Sequence, residues 1–145
     1  INAPSQLTKA HLENTRNTIV LGRGFGYAVG REVALKLKEV LGIHAEAFSS
    51  AEFIHGPVTL VEKKLKLISL NIEDESAPFH QNMVQDVRSR GGECIDLQGG
   101  VTSSHQRLDA LLLMQRFYLD IEKIAVELGL NPDTPPGLNK VTKTQ

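Results

Sequence analysis

Three charged residues in the first third of the chain are spaced so that they can act together in acid–base chemistry. Glu32, Lys36 and Glu39 follow one another at i, i+4 and i+7, which places them on one face of a helix. A carboxylate there can move a proton while the neighbouring ammonium holds a substrate. The same pattern is typical of a solvated helix face with ion pairs, and these residues alone favour that simpler explanation.

A second group of ionisable residues lies in the segment IHAEAFSSAEFIHGP. Its members are His44, Glu46, Glu52 and His55. Two histidines and two glutamates suggest a metal site, but their spacing matches no H-E-x-x-H signature, so we predict no metal. His55, just before a Gly-Pro pair, is better placed to act as an acid or base.

A glycine-rich turn precedes the helix that carries Glu32. In LGRGFGYAVG, Gly24 and Gly26 match the first two glycines of the dinucleotide-binding pattern G-x-G-x-x-G, but Val29 stands at the third position. We therefore expect no nucleotide cofactor. Free backbone N–H groups near Gly24, with the charge of Arg23, are able to hold an anion or a sugar, but these residues alone favour a plain tight turn.

The composition restricts the function classes. The 145 residues include 16 Lys and Arg against 17 Asp and Glu, and the formal net charge is -1. Interspersed charges of both signs argue against nucleic-acid or anionic-membrane binding, and no apolar run approaches the ~20 residues of a membrane span. The chain has no G-x-S-x-G motif, and Cys94 is its one cysteine, so we expect no nucleophilic hydrolase, no internal disulfide and a cytoplasmic location.

Alternating strands and helices predict an α/β fold with a parallel sheet covered on both faces. The last helix is apolar on nearly every side, which indicates a second domain or subunit beside it. The proline-rich end, residues 131–145, is typical of an extended arm. We predict strands over 18–22, 44–48, 65–72 and 93–97 and long helices over 5–16, 27–41, 77–90 and 106–128. We also predict a short helix that is capped by Ser49 or Ser50 and carries Glu52 and His55.

Two stretches resemble the sugar isomerase (SIS) domain family: GRGFGYAVGREVALKLKEVLGIHAEAFSSAEFIHGPVTLVE and the tail NPDTPPGLNKVTKT. The specific signal is the combination of E-x-x-x-K-x-x-E, H-A-E-A and H-G-P, since each fragment alone is weak. The resemblance implies a flavodoxin-like three-layer sandwich, the SIS fold. It also implies a linker helix over residues 1–17, the second of two SIS domains over 18–130, and an arm over the active site at 131–145.

The resemblance implies roles for particular residues. Glu39 would move a proton between C1 and C2 of an open-chain sugar, while Lys36 and Glu32 would contact the substrate and relay protons. His55 would open the sugar ring in a neighbouring subunit, and Lys140 would reach over the site from the arm. The remaining predicted substrate-binding residues are Arg23, Gly24 and Asn139.

The sequence departs from the family pattern at the loop that binds the sugar phosphate. Family members hold the sugar phosphate with an S-x-S-x-x-T loop of the first SIS domain, whereas the segment after the predicted strand 65–72 is acidic and would repel a phosphate. The chain begins with Ile1, and we expect it to be the carboxyl-terminal half of a two-domain protein. Its expected partners are a sugar phosphate, the first SIS domain and a second copy in a homodimer.

The activity implied by the resemblance is that of an amino-sugar phosphate isomerase or deaminase, which converts glucosamine 6-phosphate to fructose 6-phosphate with release of ammonia. The tail favours the deaminase, because Pro135-Pro136-Gly137-Leu138-Asn139 precedes the lysine where the glutamine-dependent aminotransferases usually include an Arg. The isomerase half of such an aminotransferase and a phosphosugar-sensing module stay open as alternatives. No cofactor is implied, since side chains supply every group that proton transfer needs.

Overall fold

Four parallel strands form the sheet in the part of the chain that the structure describes, and a helix follows each strand. The computed structural model describes residues 4–63, 65–99 and 105–138. The strands are β1 (Asn17–Gly22), β2 (His44–Ser49), β3 (Lys66–Asn71) and β4 (Glu93–Gln98), and the helices are α1 (Lys9–Leu12), α2 (Phe25–Leu41), α3 (Ser50–Phe53), α4 (Ala77–Ser89) and α5 (Gln106–Glu127), with a 3-10 helix over Pro57–Lys63.

The strands lie in the order β2-β1-β3-β4, and every neighbouring pair is parallel. This order matches the first four strands of the flavodoxin-like arrangement. Val20 in β1 pairs with Ala47 on one side and Ile68 on the other. Ile19, Val20 and Leu21 are all buried because a parallel sheet is covered on both faces, which explains their continuous apolar run. The predicted α/β sandwich with a parallel sheet is confirmed.

Helices cover the two faces of the sheet in separate groups. α2 and α5 pack on one face, where Val33 and Phe117 belong to one apolar core. α3, the 3-10 helix and α4 cover the other face, with Phe53 and Val87 in a second core. α2 and α3 therefore lie on opposite sides of the sheet, and this separation decides where the candidate site residues fall.

The last helix buries one side and exposes another. The buried side chains of α5 include Leu113, Phe117, Ile121 and Ile124. Its outward side exposes Leu108, Leu111, Leu119 and Val126. A second partner for this helix stays a prediction, and this stripe is the surface that it would cover. No helix in the described part of the chain is both long enough and apolar enough to cross a membrane.

The amino-terminal segment differs from the predicted helix over residues 5–16, because only α1 is helical there. The backbone N–H groups of Gln6 and Leu7 donate to Asp120 Oδ2 over 2.9 and 3.0 Å, which ties this stretch to α5. Thr8 is extended, with φ -132° and ψ 162°, so α1 begins only after it. Asn14 takes φ +60°, a left-handed conformation that stops α1 from continuing. The Gln6 side chain also exchanges two hydrogen bonds with the backbone of Gln98, and these protect the outer edge of β4.

A buried polar pair links β3 to α4. The Ser69 hydroxyl lies 3.0 Å from Nε2 of His80, and both residues are buried. Nδ1 of His80 has no hydrogen-bond partner among the described residues. Burial lowers the pKa of His80, because a charged imidazolium would lose its hydration. The imidazole is therefore neutral in the folded chain at neutral pH.

The free energy of unfolding should fall as the pH drops below about 6.5, the ordinary pKa of histidine. The unfolded chain binds a proton at His80 near that pH, whereas the folded chain, with its lowered pKa, does so only at lower pH. The neutral imidazole therefore contributes to the free energy of unfolding above about pH 6.5. This contribution is lost below that pH, and the free energy falls by at most about 1.4 kcal/mol per pH unit. Urea unfolding at a series of pH values measures this slope.

The control for this prediction is the same substitution at an exposed histidine. His80→Gln should flatten the slope, because glutamine does not titrate and its amide can still hydrogen-bond Ser69. His44→Gln removes an exposed histidine and should leave the slope in place. An unchanged slope in His80→Gln would contradict the assignment.

Candidate active site

Glu32, Lys36 and Glu39 lie together on one face of α2, as their spacing predicts. Lys36 Nζ donates to Glu39 Oε2 over 2.6 Å and lies 3.7 Å from Glu32 Oε1. The side chains are 30%, 28% and 31% exposed in chain order, so a small molecule in solvent can reach them. The hydrogen bond to Glu39 raises the pKa of Lys36, which keeps the ammonium charged at neutral pH.

Tyr118 of α5 joins this group from outside α2. Its hydroxyl donates to Glu32 Oε1 over 2.7 Å, and this hydrogen bond raises the pKa of Tyr118. The sequence alone does not reveal the contact, because the two residues are 86 positions apart and meet only where α2 packs against α5. The tyrosine hydroxyl, a hydrogen-bond donor in α5, was a signal in the sequence, but it does not specify its partner. The result is a connected group that runs from Tyr118 through Glu32 and Lys36 to Glu39.

Arg23 and Gly24 lie at the opposite end of α2 from Glu39. At roughly 1.5 Å per residue, the helix between Gly24 and Glu39 spans about 22 Å. The Arg23 guanidinium lies over the Phe79 ring, 5.0 Å from its centroid, and so contacts α4. The fold therefore does not bring these two predicted substrate-binding residues to Glu39 within this chain.

The glycine turn before α2 has a steric explanation. A Cβ on Gly22 would lie 2.3 Å from the Gly26 carbonyl oxygen, so the close approach of these two backbone segments requires glycine. A Cβ on Gly24, which has φ +54°, would lie 3.0 Å from Asp74 Oδ2. The Asp74 carboxylate thus faces the start of α2 and disfavours an anion there. These contacts favour the tight-turn explanation of the glycine pattern.

His55 lies on the other side of the sheet from Glu39. The sequence predicts His55 within the short helix, but α3 ends at Phe53, and His55 lies in the turn after it, where its N–H donates to the Glu52 carbonyl. Phe53 is buried in the core on the α4 side, whereas α2 covers the opposite face. Glu39 also lies near the amino end of β2, and His55 follows its carboxyl end. A single chain does not bring these two residues to one substrate.

The carboxyl-terminal arm is described only in part. Residues 131–138 contain turns without helix or strand, and the extended arm over the site stays a prediction. Asn139 and Lys140 lie outside the described residues, so their positions over the site stay predictions.

Metal binding and thiol chemistry find no support in the described residues. Within residues 4–63, 65–99 and 105–138, no group of three or more His, Cys, Asp or Glu could hold a metal ion. Burial raises the pKa of Cys94 to about 11, so its thiol stays protonated at neutral pH and is a poor nucleophile. The acid–base group on α2, formed by Glu32, Lys36 and Glu39, is therefore the strongest candidate for a catalytic site.

Comparison with known families decides what kind of domain this is. The model of the SIS domain family matches residues 11–117, a span that holds all four strands and the acid–base group on α2. The chain belongs to the SIS domain family. The match stops one residue before Tyr118 and well before the carboxyl-terminal arm.

The curated relatives of this SIS domain are much longer proteins. The isomerizing glutamine-fructose-6-phosphate aminotransferase of Lactiplantibacillus plantarum is 33% identical over 148 residues, which cover 93% of this chain and 24% of that protein. The enzyme of the same name from Sulfolobus acidocaldarius is 29% identical over 150 residues, which cover 97% of this chain and 25% of that protein. The SIS domain thus spans about a quarter of the length of these relatives.

Solved structures confirm the SIS fold. The C-terminal domain of glucosamine-fructose-6-phosphate aminotransferase from Francisella tularensis superposes with a TM-score of 0.71 at 28% identity, covering 85% of this chain and 39% of that one. Glucosamine-6-phosphate deaminase from Thermotoga maritima superposes with a TM-score of 0.70 at 25% identity, covering 89% of this chain and 41% of that one.

Proposed function

We propose that this SIS domain carries the acid–base residues of an amino-sugar phosphate isomerase or deaminase, which converts glucosamine 6-phosphate to fructose 6-phosphate with release of ammonia. The observation that carries the proposal is the 2.6 Å hydrogen bond between Lys36 and Glu39 on an accessible face of α2. It joins a carboxylate able to move a proton to a cation able to hold a substrate oxygen. Relatives named as a fructose-6-phosphate aminotransferase and a glucosamine-6-phosphate deaminase support it.

The proposed reaction begins with ring opening, in which His55 moves a proton between the C1 hydroxyl and the ring oxygen. Glu39 then takes the proton from C2, and the electron pair moves through the C1–C2 bond onto O1, giving an enolamine once O1 is protonated. Return of a proton to C1 gives an iminium at C2. Water adds to this carbon, ammonia leaves, and the product is fructose 6-phosphate.

Lys36 has an electrostatic part in this scheme. Negative charge develops on O1 as the C2 proton leaves, and a fixed ammonium beside Glu39 stabilises that charge without having to reorient. Glu32 shares the same ammonium at 3.7 Å and relays protons. Lys140, with Asn139, would cover the bound sugar, and in the aminotransferase alternative Lys140 would form an imine with the open-chain ketose.

A neighbouring subunit and another domain complete the proposed site. Because Glu39 and His55 lie on opposite sides of one sheet, His55 can serve the site of a second copy in a homodimer. The segment after β3 carries Glu73, Asp74 and Glu75, which would repel a phosphate. The phosphate-binding loop of the proposed site therefore belongs to the first SIS domain of the same protein. The cytoplasmic location expected from the single cysteine remains part of the proposal.

The function is tested by incubating the protein, as its gene encodes it, with glucosamine 6-phosphate and no glutamine. NMR then follows ammonium and fructose 6-phosphate. Formation of both supports the deaminase. Conversion in the reverse sense, from fructose 6-phosphate and only with glutamine, would assign the aminotransferase half. Binding of the sugar phosphate without any conversion would assign a sensing module.

Mixing two inactive variants should restore activity if His55 serves the neighbouring subunit. A mixed dimer of His55→Ala and Glu39→Gln keeps one site with both native residues, so random mixing should recover about a quarter of the wild-type turnover. Each variant mixed with itself is the control. No recovery, in a sample where differently tagged subunits are shown to co-purify, would contradict the shared site.

A further inference from the structure

The Lys36 ammonium on α2 lies between two carboxylates, those of Glu32 and Glu39. Lys36 Nζ is 2.6 Å from Glu39 Oε2 but 3.7 Å from Glu32 Oε1. On an isolated helix, a glutamate four residues before a lysine is a favoured ion-pair spacing, and Glu32 has that spacing to Lys36. The observed preference of Lys36 for Glu39 therefore needs a cause outside α2.

Tyr118 supplies that cause. The oxygen of Glu32 nearest Lys36 is Oε1, the same atom that accepts the Tyr118 hydroxyl over 2.7 Å. A neutral donor on this atom satisfies Glu32 and leaves the ammonium to Glu39. We propose that Tyr118 is a positioning residue, which holds Glu32 so that Lys36 stays on the carboxylate that moves the proton. This inference rests on the proposed function.

Tyr118 is well placed for this role. Its neighbour Phe117 is buried in the core between α2, α5 and the sheet, which fixes the backbone of α5 at this point. Tyr118 itself is 40% exposed, so its hydroxyl lies at the solvent side of the helix pair, where the substrate would approach. The hydrogen bond to Glu32 raises the pKa of the phenol, so it remains a donor at neutral pH.

The first test examines the contact itself and does not depend on activity. Ring carbon NMR follows the ionisation of Tyr118, whose signal is assigned by its loss in Tyr118→Phe. Glu32→Gln should lower the midpoint of this titration, because the glutamine amide is uncharged and stabilises the phenol less. An unchanged midpoint would show that Tyr118 does not bond Glu32 and would overturn the proposal.

The second test measures coupling in the reaction. Tyr118→Phe should lower kcat about tenfold, as expected for the loss of one hydrogen bond to a charged group, with a smaller change in KM. If Tyr118 acts through Glu32, the double variant Tyr118→Phe with Glu32→Gln should be no slower than Glu32→Gln alone. Tyr27→Phe removes the hydroxyl of the other tyrosine in this sequence and should keep wild-type kcat.

The kinetic results distinguish failure of the positioning role of Tyr118 from failure of the proposed function. An active wild type with an equally active Tyr118→Phe, or with fully additive losses in the double variant, would overturn the positioning role alone. A wild type with no turnover of the sugar phosphates would overturn the proposed function and the positioning role together, while the Tyr118 midpoint would still report on the contact.

Discussion

Glu39→Gln should lower the turnover of glucosamine 6-phosphate by about 10²- to 10⁴-fold, the range that one positioned acid or base contributes. Glutamine keeps the shape of glutamate, and its amide oxygen can still accept a hydrogen bond from Lys36. It cannot accept the proton from C2, so the chemical step is lost while the surroundings of Lys36 are kept. KM should change much less than kcat, because the substrate contacts remain. Steady-state kinetics of the protein as its gene encodes it measures both constants.

A carboxylate far from the site is the control for this substitution. Glu93 begins β4 at the opposite edge of the sheet from β2, so Glu93→Gln removes the same charge without touching α2. This control should keep wild-type turnover. A Glu39→Gln variant with kcat close to that of the wild type would contradict the role of Glu39.

Asp120→Ala should lower the free energy of unfolding by about 3–5 kcal/mol, the usual cost of removing one partner of a buried ion pair. The Asp120 carboxylate is only 1% exposed, and Arg116 Nη2 lies 2.7 Å from its Oδ1. Its Oδ2 accepts the backbone N–H groups of Gln6 and Leu7. The substitution removes the carboxylate from the mostly buried Arg116 guanidinium, leaves two backbone donors without this acceptor, and releases the amino-terminal segment from α5. Urea unfolding measures the loss.

The chain offers a matched pair for comparison. Asp86 of α4 and Arg90, which follows the last residue of α4, have the same i, i+4 spacing and a 2.9 Å contact, but their side chains are 37% and 40% exposed. Because solvent screens an exposed pair, Asp86→Ala should cost only about 0.5 kcal/mol or less. Similar losses in the two variants would contradict the view that burial of Asp120 makes its contacts stabilising.

The sequence was sufficient for the four strands, for the long helices from α2 onward and for the acid–base group on α2. Apolar runs of strand length alternate with helical spacing, and these local patterns predict the four strands and the three long helices from α2 onward. The grouping of Glu32, Lys36 and Glu39 also follows from local geometry, because residues three and four apart on a helix are neighbours. Such features depend only on nearby residues.

The features that sequence patterns missed depend on distant contacts. A helix over residues 5–16 was expected, but Asp120, far along the chain, binds the backbone N–H groups of Gln6 and Leu7, and helix α1 begins only after Thr8. The hydrogen bond of Tyr118 to Glu32 requires the packing of α5 on α2. The separation of His55 from Glu39 depends on which face of the sheet each helix covers, and periodicity does not specify this.

Solvent isotope exchange tests the central claim most directly. The protein as its gene encodes it is incubated in heavy water with glucosamine 6-phosphate, and NMR follows deuterium at C1 and C2 of the sugar. Proton transfer by Glu39 predicts deuterium at these carbons with the wild type and none with Glu39→Gln, although both proteins bind the sugar phosphate. Equal incorporation by the two proteins, or neither deuterium incorporation nor ammonium release by a wild type that binds the sugar, would contradict the account.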